Sequence, residues 1–120
     1  MLSTSLPNVR QVSRLFRTLG DETRLRMVAL LVHGELCVCH IQEALDLTQS
    51  NTSRQLSILR AAGIVEARRG GGWVYYALAQ QADEDCRKHL RLLARTFGAQ
   101  ETLRRDIQRL QKSVGPDSCK

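Results

Sequence analysis

Two cysteines one residue apart, Cys37 and Cys39, are the side chains best suited to chemistry in this sequence. Thiolates select soft and borderline ions such as zinc, cadmium or trivalent arsenic over magnesium or calcium. In a regular helix two thiols at this spacing diverge, but a helix entered from an extended segment lets them converge on one ion. Two readings of Glu35-Leu36-Cys37-Val38-Cys39-His40 therefore stand: an ion-binding pair, or two small hydrophobes packed beside Leu36 and Val38. A second set is polar. Gln49, Ser50, Asn51, Ser53, Arg54, Gln55 and Ser57 follow one another without being needed for a core, and Arg68 and Arg69 stand just before Gly70-Gly71-Gly72. Asn and Gln amides pair bidentately with adenine, and Arg reads guanine or holds phosphate. The plainer reading of each stretch alone is a solvated face.

The elements that carry these residues decide between the readings. Val9, Val12, Leu15, Phe16 and Leu19 recur at three- and four-residue steps, the period of an amphipathic helix ended by Gly20. Asp21 is a natural N-cap for a second helix with Leu25, Val28, Leu31 and Val32 inward, stopped by Gly34. A short third helix is predicted to begin around Cys39 or His40, carrying Ile41, Ala44 and Leu45. Thr48 caps a fourth, from about Gln49 to Ala62, with Thr52, Leu56 and Leu59 inward and Gly63 as its stop. From Ile64 the period becomes alternating, and Val65 and Ala67 lead through the glycines to Trp73, Val74, Tyr75, Tyr76 and Leu78, a β-hairpin. Asp83, Glu84 and Asp85 open a further helix with Leu90, Leu93 and Phe97, and a last stretch runs through Leu103, Ile107 and Leu110. The fold class is mainly α with a small β-hairpin, a winged helix-turn-helix. One DNA-binding and dimerisation domain over residues 1–112 and a loose tail at 113–120 are expected. In this order the polar positions occupy the N-terminal half of a reading helix in the major groove, and the two arginines sit on a wing able to clasp backbone or minor groove. The hairpin aromatics are read as cross-strand packing rather than as stacking platforms.

Global properties agree. The net charge of +6 favours polyanionic partners, because neutralised phosphates release counterions. Four cysteines, unevenly spread, do not make the disulfide framework of a small secreted domain. The longest apolar run, Met27 to Val32, is far below the roughly 20 residues of a membrane span, and no export signal is seen, so the expected compartment is the cytoplasm. No enzymatic constellation stands out: there is no carboxylate pair, activated serine or phosphate-cradling loop, and the glycine run lies in a hairpin rather than before a helix.

Over residues 10 to 80 the chain resembles the ArsR/SmtB family of metalloregulatory repressors. Leu19-Gly-Asp-Glu-Thr-Arg-Leu-Arg26 looks like the family's second-helix entry, Glu35-Leu-Cys-Val-Cys39 like its arsenic and cadmium box, and Leu47-Thr-Gln-Ser-Asn-Thr-Ser-Arg-Gln-Leu56 like its recognition helix. The wing Gly72-Trp-Val-Tyr-Tyr-Ala-Leu78 agrees. The resemblance implies a homodimeric repressor on double-stranded operator DNA, released by arsenite, with cadmium, lead or zinc as the nearest alternatives. Oxidation of the same thiols, with no ion, is the competing switch. Where the arsenic branch continues with an acidic residue and another cysteine, this chain has His40 and Gln42. A third thiolate must then come from Cys86 or Cys119, in the same subunit or across the dimer. Asp83, Asp85 and His89 lack the spacing of the family's fifth-helix zinc site. Gln55 stands where a histidine is common. The first and last helices, Val9 to Leu19 and Leu90 to Leu110, are expected to form the dimer interface.

Overall fold

The computed structural model describes residues 8–79 and 84–113. Its helix starts follow from side chains that satisfy first-turn amides. α1 (Val9–Leu19) is capped by Asn8, whose side chain accepts from the Gln11 N–H while the Gln11 side chain accepts from the Asn8 N–H, a reciprocal capping box. α2 (Glu22–Leu31) takes Asp21 as its cap, and α4 (Gln49–Ala61) takes Thr48, as the sequence predicts. α3 (Val38–Leu45) starts earlier than Cys39: its cap residue is Cys37, held extended at φ −67°, ψ 144°.

That extension has a cause outside the helix. Leu36–Cys37 form a two-residue strand, β1, paired antiparallel with β3 (Trp73–Leu78), which in turn pairs with β2 (Val65–Gly70) in a sheet of order β1-β3-β2. Cys37 lies opposite Tyr75, and Leu36 opposite Tyr76. A two-residue strand leaves no periodicity to read, so the expected hairpin is a three-stranded sheet. Gly71 and Gly72 link β2 to β3 with φ of 58° and 86°. Two successive positive φ angles define the primed turn that matches strand twist, and glycine alone adopts them without strain.

The core lies between α2, α3, α4 and the sheet, with Met27, Leu30, Leu31, Ile41, Leu45, Leu56 and Leu59 buried. Leu25, expected inward, is exposed; Met27 and Leu30 take its place on the α2 stripe. α5 (Glu84–Phe97) contributes Leu90 to the core, and α6 (Glu101–Ser113) is a separate helix, its first amides at Thr102 and Leu103 capped by the Gln100 side chain. Ile107 and Leu110 of α6 pack on the core. The α6 stripe, which the expected interface assigned to a subunit partner, thus packs at least in part on the chain's own core. Exposed apolar side chains gather elsewhere: Val9, Val12 and Phe16 on α1, Leu92 and Phe97 on α5, and Leu25 on α2.

α6 is locked to the rest by charge. Asp106 is 1% exposed and receives Arg26 Nε and Nη2, each at 2.8 Å. These hydrogen bonds hold the Arg26 guanidinium above its usual pKa. Arg26 Nη2 also reaches the Leu45 carbonyl at 3.4 Å, and Arg109 Nη1 donates to the Ala44 carbonyl at 3.3 Å. Two guanidinium groups thus meet the last carbonyls of α3, where the helix dipole is negative. Removing one partner of a buried pair leaves the other charged and unpaired. Asp106→Ala should therefore lower stability by roughly 3 kcal/mol, whereas Arg26→Met with Asp106→Leu should recover most of that loss. Urea unfolding of the single and double variants checks this; a double variant as unstable as the single one would contradict it.

Candidate nucleic-acid interface and thiol site

α4 turns Thr52, Leu56 and Leu59 inward and leaves Gln49, Ser50, Ser53, Arg54 and Ser57 exposed, with Asn51 half-buried. Gln55 departs from the expected outward set, being only 8% exposed. Its Oε1 accepts from Arg24 Nη1 at 2.9 Å, and its Nε2 donates to Asn51 Oδ1 at 3.2 Å. Arg54 Nη2 donates to the same oxygen at 3.1 Å. Arg24 is fixed in turn by its Nε donating to the Thr18 carbonyl at 2.7 Å. A continuous chain of hydrogen bonds runs from the end of α1 through α2 to the outer face of α4. Gln55 spends both ends of its amide inside this chain, so it sets the attitude of Asn51 rather than facing a groove.

On the wing, strand alternation sends Arg68 and Arg69 to opposite faces, Arg68 across from Tyr75 and Arg69 across from Val74. Arg68 makes a two-pronged ion pair with Glu35, Nε to Oε2 at 2.8 Å and Nη2 to Oε1 at 2.6 Å, and lies 4.5 Å over the Tyr75 ring. The bond to Arg68 holds the Glu35 carboxyl below the usual range, and Glu35 raises Arg68. Arg69 is exposed at the strand end, with no ion pair recorded among the described residues. Tyr76 packs against the core, so the wing aromatics serve packing and cation stacking, in keeping with the cross-strand reading.

The two sulfurs converge. Cys37 Sγ and Cys39 Sγ are 3.0 Å apart, because Cys37 is extended in β1 while Cys39 is already in the first turn of α3. Cys37 is 2% exposed and carries a free thiol, whereas Cys39 is half-buried and disulfide-bonded. The sulfurs are packed, and they also face one another. Cys86, half-buried on α5, packs against the core cluster. Among the described residues no three His, Cys, Asp or Glu side chains form an ion-holding group, which applies equally to Asp85 and His89 on α5. Asp83 and Cys119 lie outside the described residues. Glu35 and Arg24 are the site residues that sequence reading passed over. Glu35 precedes the thiol pair and Arg24 follows the Asp21 cap, but nothing local signals that their partners are Arg68 and Gln55.

Comparison with known proteins matches this geometry. The sequence signature of bacterial regulatory proteins of the arsR family covers residues 21–67, from the α2 cap through the reading helix into β2. The arsenic resistance transcriptional regulator ArsR1 of Pseudomonas putida is 52% identical over 65 residues, 53% of this chain and 51% of that protein. The arsenical resistance operon repressor of Escherichia coli is 49% identical over 67 residues, 55% of this chain and 57% of that protein. The cadmium resistance regulatory protein CadC of Listeria innocua is 44% identical over 66 residues, 54% of this chain and 56% of that protein. The matches to these relatives span little more than half of their length. Among solved structures, HlyU of Vibrio cholerae superposes with a TM-score of 0.69 at 28% identity, over 78% of this chain and 98% of its own. The homodimeric winged helix-turn-helix DNA-binding domain of Mb0332 from Mycobacterium bovis gives 0.64 at 29% identity, over 78% and 89%. With the family signature spanning the helix-turn-helix, relatives at about half identity over that region and winged helix-turn-helix structures superposing on the fold, the chain belongs to the arsR family of bacterial regulatory proteins.

Proposed function

We propose that this protein is a homodimeric transcriptional repressor, working in the cytoplasm, that binds operator DNA through α4 and the wing and leaves it when arsenite is captured by Cys37 and Cys39. The observation that carries the reading is the 3.0 Å approach of the two sulfurs at the N-terminal end of α3, the helix that packs directly on α4. With the Cys39 disulfide first reduced by a small-molecule thiol, which is itself oxidised to its disulfide, arsenous acid would exchange each hydroxide for a thiolate, releasing one water per sulfur. A third thiolate, from Cys86 or Cys119, completes the pyramid. Cadmium, lead and zinc are the alternative ions for the same ligands. The names of the arsenic and cadmium relatives support this inducer class, and their being regulators supports a role without catalysis. A second reading, a thiol redox switch, is supported by the disulfide state of Cys39: peroxide oxidation of two reduced thiols gives one disulfide and two waters, with no ion needed. Titration of operator binding with arsenite, and separately with peroxide, in the presence and absence of reductant distinguishes the two.

Asn51→Ala and Arg54→Ala should weaken binding to operator more than to random DNA, since a base-reading side chain contributes roughly 1–3 kcal/mol of discrimination. Arg69→Ala should weaken both alike and lower the salt slope by about one. Fluorescence anisotropy on the two DNAs over a salt series measures these quantities. Equal losses on both DNAs for all three variants would remove the assignment.

For the dimer, α1 and α5 supply the apolar surface, with Phe16 63% and Phe97 57% exposed. A two-fold partner places the second reading helix about 34 Å away, one turn of DNA. Phe16→Glu should give a folded monomer in sedimentation at micromolar concentration, with operator affinity reduced to that of a single half-site. A dimer that survives this change places the interface elsewhere.

Cys37→Ser and Cys39→Ser should each leave a repressor that binds operator and no longer responds to arsenite. Coupling of roughly 1–3 kcal/mol between ion and DNA suffices for a 5- to 150-fold release, and DNA must lower arsenite affinity by the same factor. If both variants stay inducible, the thiols are packing residues and the sensor assignment fails.

A further inference from the structure

The hydrogen bonds beneath the outer face of α4 run in one direction only. They start at Arg24, whose guanidinium has donors and no acceptor. Its Nε donates to the Thr18 carbonyl and its Nη1 to Gln55 Oε1 at 2.9 Å, so the oxygen of the Gln55 amide faces Arg24 and the nitrogen faces away. That nitrogen donates to Asn51 Oδ1 at 3.2 Å, which turns the Asn51 oxygen inward in its turn. Arg54, also a pure donor, gives Nη2 to the same oxygen at 3.1 Å. An amide turned end for end keeps its shape, so its partners alone decide its orientation, and here guanidinium groups at both ends decide it. Asn51 Nδ2 is left over. Among the described residues the one buried side-chain nitrogen or oxygen without a partner is Arg87 Nε, so Asn51 Nδ2 is open to solvent. We infer that Arg24, acting through Gln55, makes Asn51 a hydrogen-bond donor to DNA, and that Asn51 and Arg54 together select guanine over adenine in the operator.

The inference rests on the proposed use of α4 as the DNA-reading helix and adds which base is read there. In the major groove guanine offers two acceptors, N7 and O6, whereas adenine offers one acceptor, N7, beside the N6 amino donor. Asparagine meets adenine by donating to N7 and accepting from N6, and that second bond needs a free lone pair on Oδ1. A carbonyl oxygen has two lone pairs, and Gln55 and Arg54 take both. Gln55 cannot yield its share cheaply: it is 8% exposed, and withdrawing its N–H leaves a buried donor unpaired. Adenine must therefore break the bond from Arg54 to Asn51 before its amino group finds an acceptor. Guanine meets the free Asn51 N–H and the remaining Arg54 donors with nothing broken. Specificity is this difference.

The test is selection of binding sites from a randomised duplex pool by the unmodified protein and by Asn51→Ala, Gln55→Glu and Arg24→Met, followed by fluorescence anisotropy on the selected sites. The position read by Asn51 is the one whose preference Asn51→Ala loses. Guanine is expected there, favoured over adenine by roughly 5- to 150-fold. Gln55→Glu keeps the acceptor for Arg24 and abolishes the donor to Asn51, so the Asn51 amide turns over with its oxygen outward. Its added charge should weaken binding to all DNA, while the preference at that position moves from guanine to the bases with a major-groove amino group, adenine and cytosine. Arg24→Met releases the Gln55 amide and should bring the ratio of guanine to adenine towards one. If that variant does not fold, Gln55→Glu still carries the test. A base other than guanine at the Asn51 position of the unmodified protein overturns the inference alone, and so does an unchanged guanine preference in Gln55→Glu or in folded Arg24→Met. A pool that yields no preferred sequence, or a preference that Asn51→Ala leaves intact at every position, overturns α4 as the base-reading helix and the inference with it.

Discussion

The backbone ladder between Leu36–Cys37 and Tyr75–Tyr76 is the constraint from which the working parts of the molecule follow. It holds Cys37 extended, which makes that residue the cap of α3 instead of a member of the helix. A Cys-x-Cys pair wholly within a helix would point its thiols about 200° apart around the axis, given 3.6 residues per turn. Here one sulfur leaves from a strand and the other from the first helical turn, and the angle closes. The same ladder makes the wing a three-stranded sheet, so its position is fixed by more than the two-residue Gly71-Gly72 turn. Isolated hairpins are marginal in water, and the third strand is what gives this one a defined place.

α2 is the second organising element, and it works through guanidinium groups. Arg24 bridges the Thr18 carbonyl to Gln55, and Arg26 bridges the Leu45 carbonyl to Asp106. One of these ties fixes the reading helix to α1, and the other fixes the end of α3 to α6. Both ends of the helix-turn-helix are therefore referenced to one rigid neighbour. Any movement of α3 or α4 must therefore be taken up against α2, because close-packed cores have little free space to deform.

Local signals in the sequence recovered most of the fold. Asp21 and Thr48 cap the helices where side-chain chemistry puts them, and the change from helical to alternating period locates the hairpin. The thiol pair and most of the polar face of α4 were legible for the same reason, since residue type and spacing are local properties. What escaped is non-local. Glu35 and Arg68 lie 33 positions apart, Arg24 and Gln55 31, and Arg26 and Asp106 80, and neither end of any pair carries a mark of its partner. Gln55 shows the consequence. Its amide suits adenine as well as it suits Arg24, and only the tertiary structure decides which it meets. The stripe of α6 is ambiguous in the same way: Ile107 and Leu110 read identically whether they pack on the chain's own core, as they do here, or on another copy.

The charge surplus takes on a different meaning once these ties are counted. Eighteen lysines and arginines give the chain its net +6, which suggested a polyanion partner from composition alone. Arg24, Arg26, Arg68 and Arg109 have hydrogen-bonding partners within the chain, on carbonyls, an amide and two carboxylates. Arg24, Arg26 and Arg68 each use several directed donors of a planar group, a task for which the single ammonium of lysine has neither the geometry nor the reach. Within the chain they fix the angle between α4, the wing and the segment before α3. Their charge adds to the long-range field around the molecule, while Arg54 and Arg69 keep their side chains exposed. The aim of the exposed side chains on α4 then depends on the tied arginines, because a side chain is positioned only as well as the helix beneath it is held.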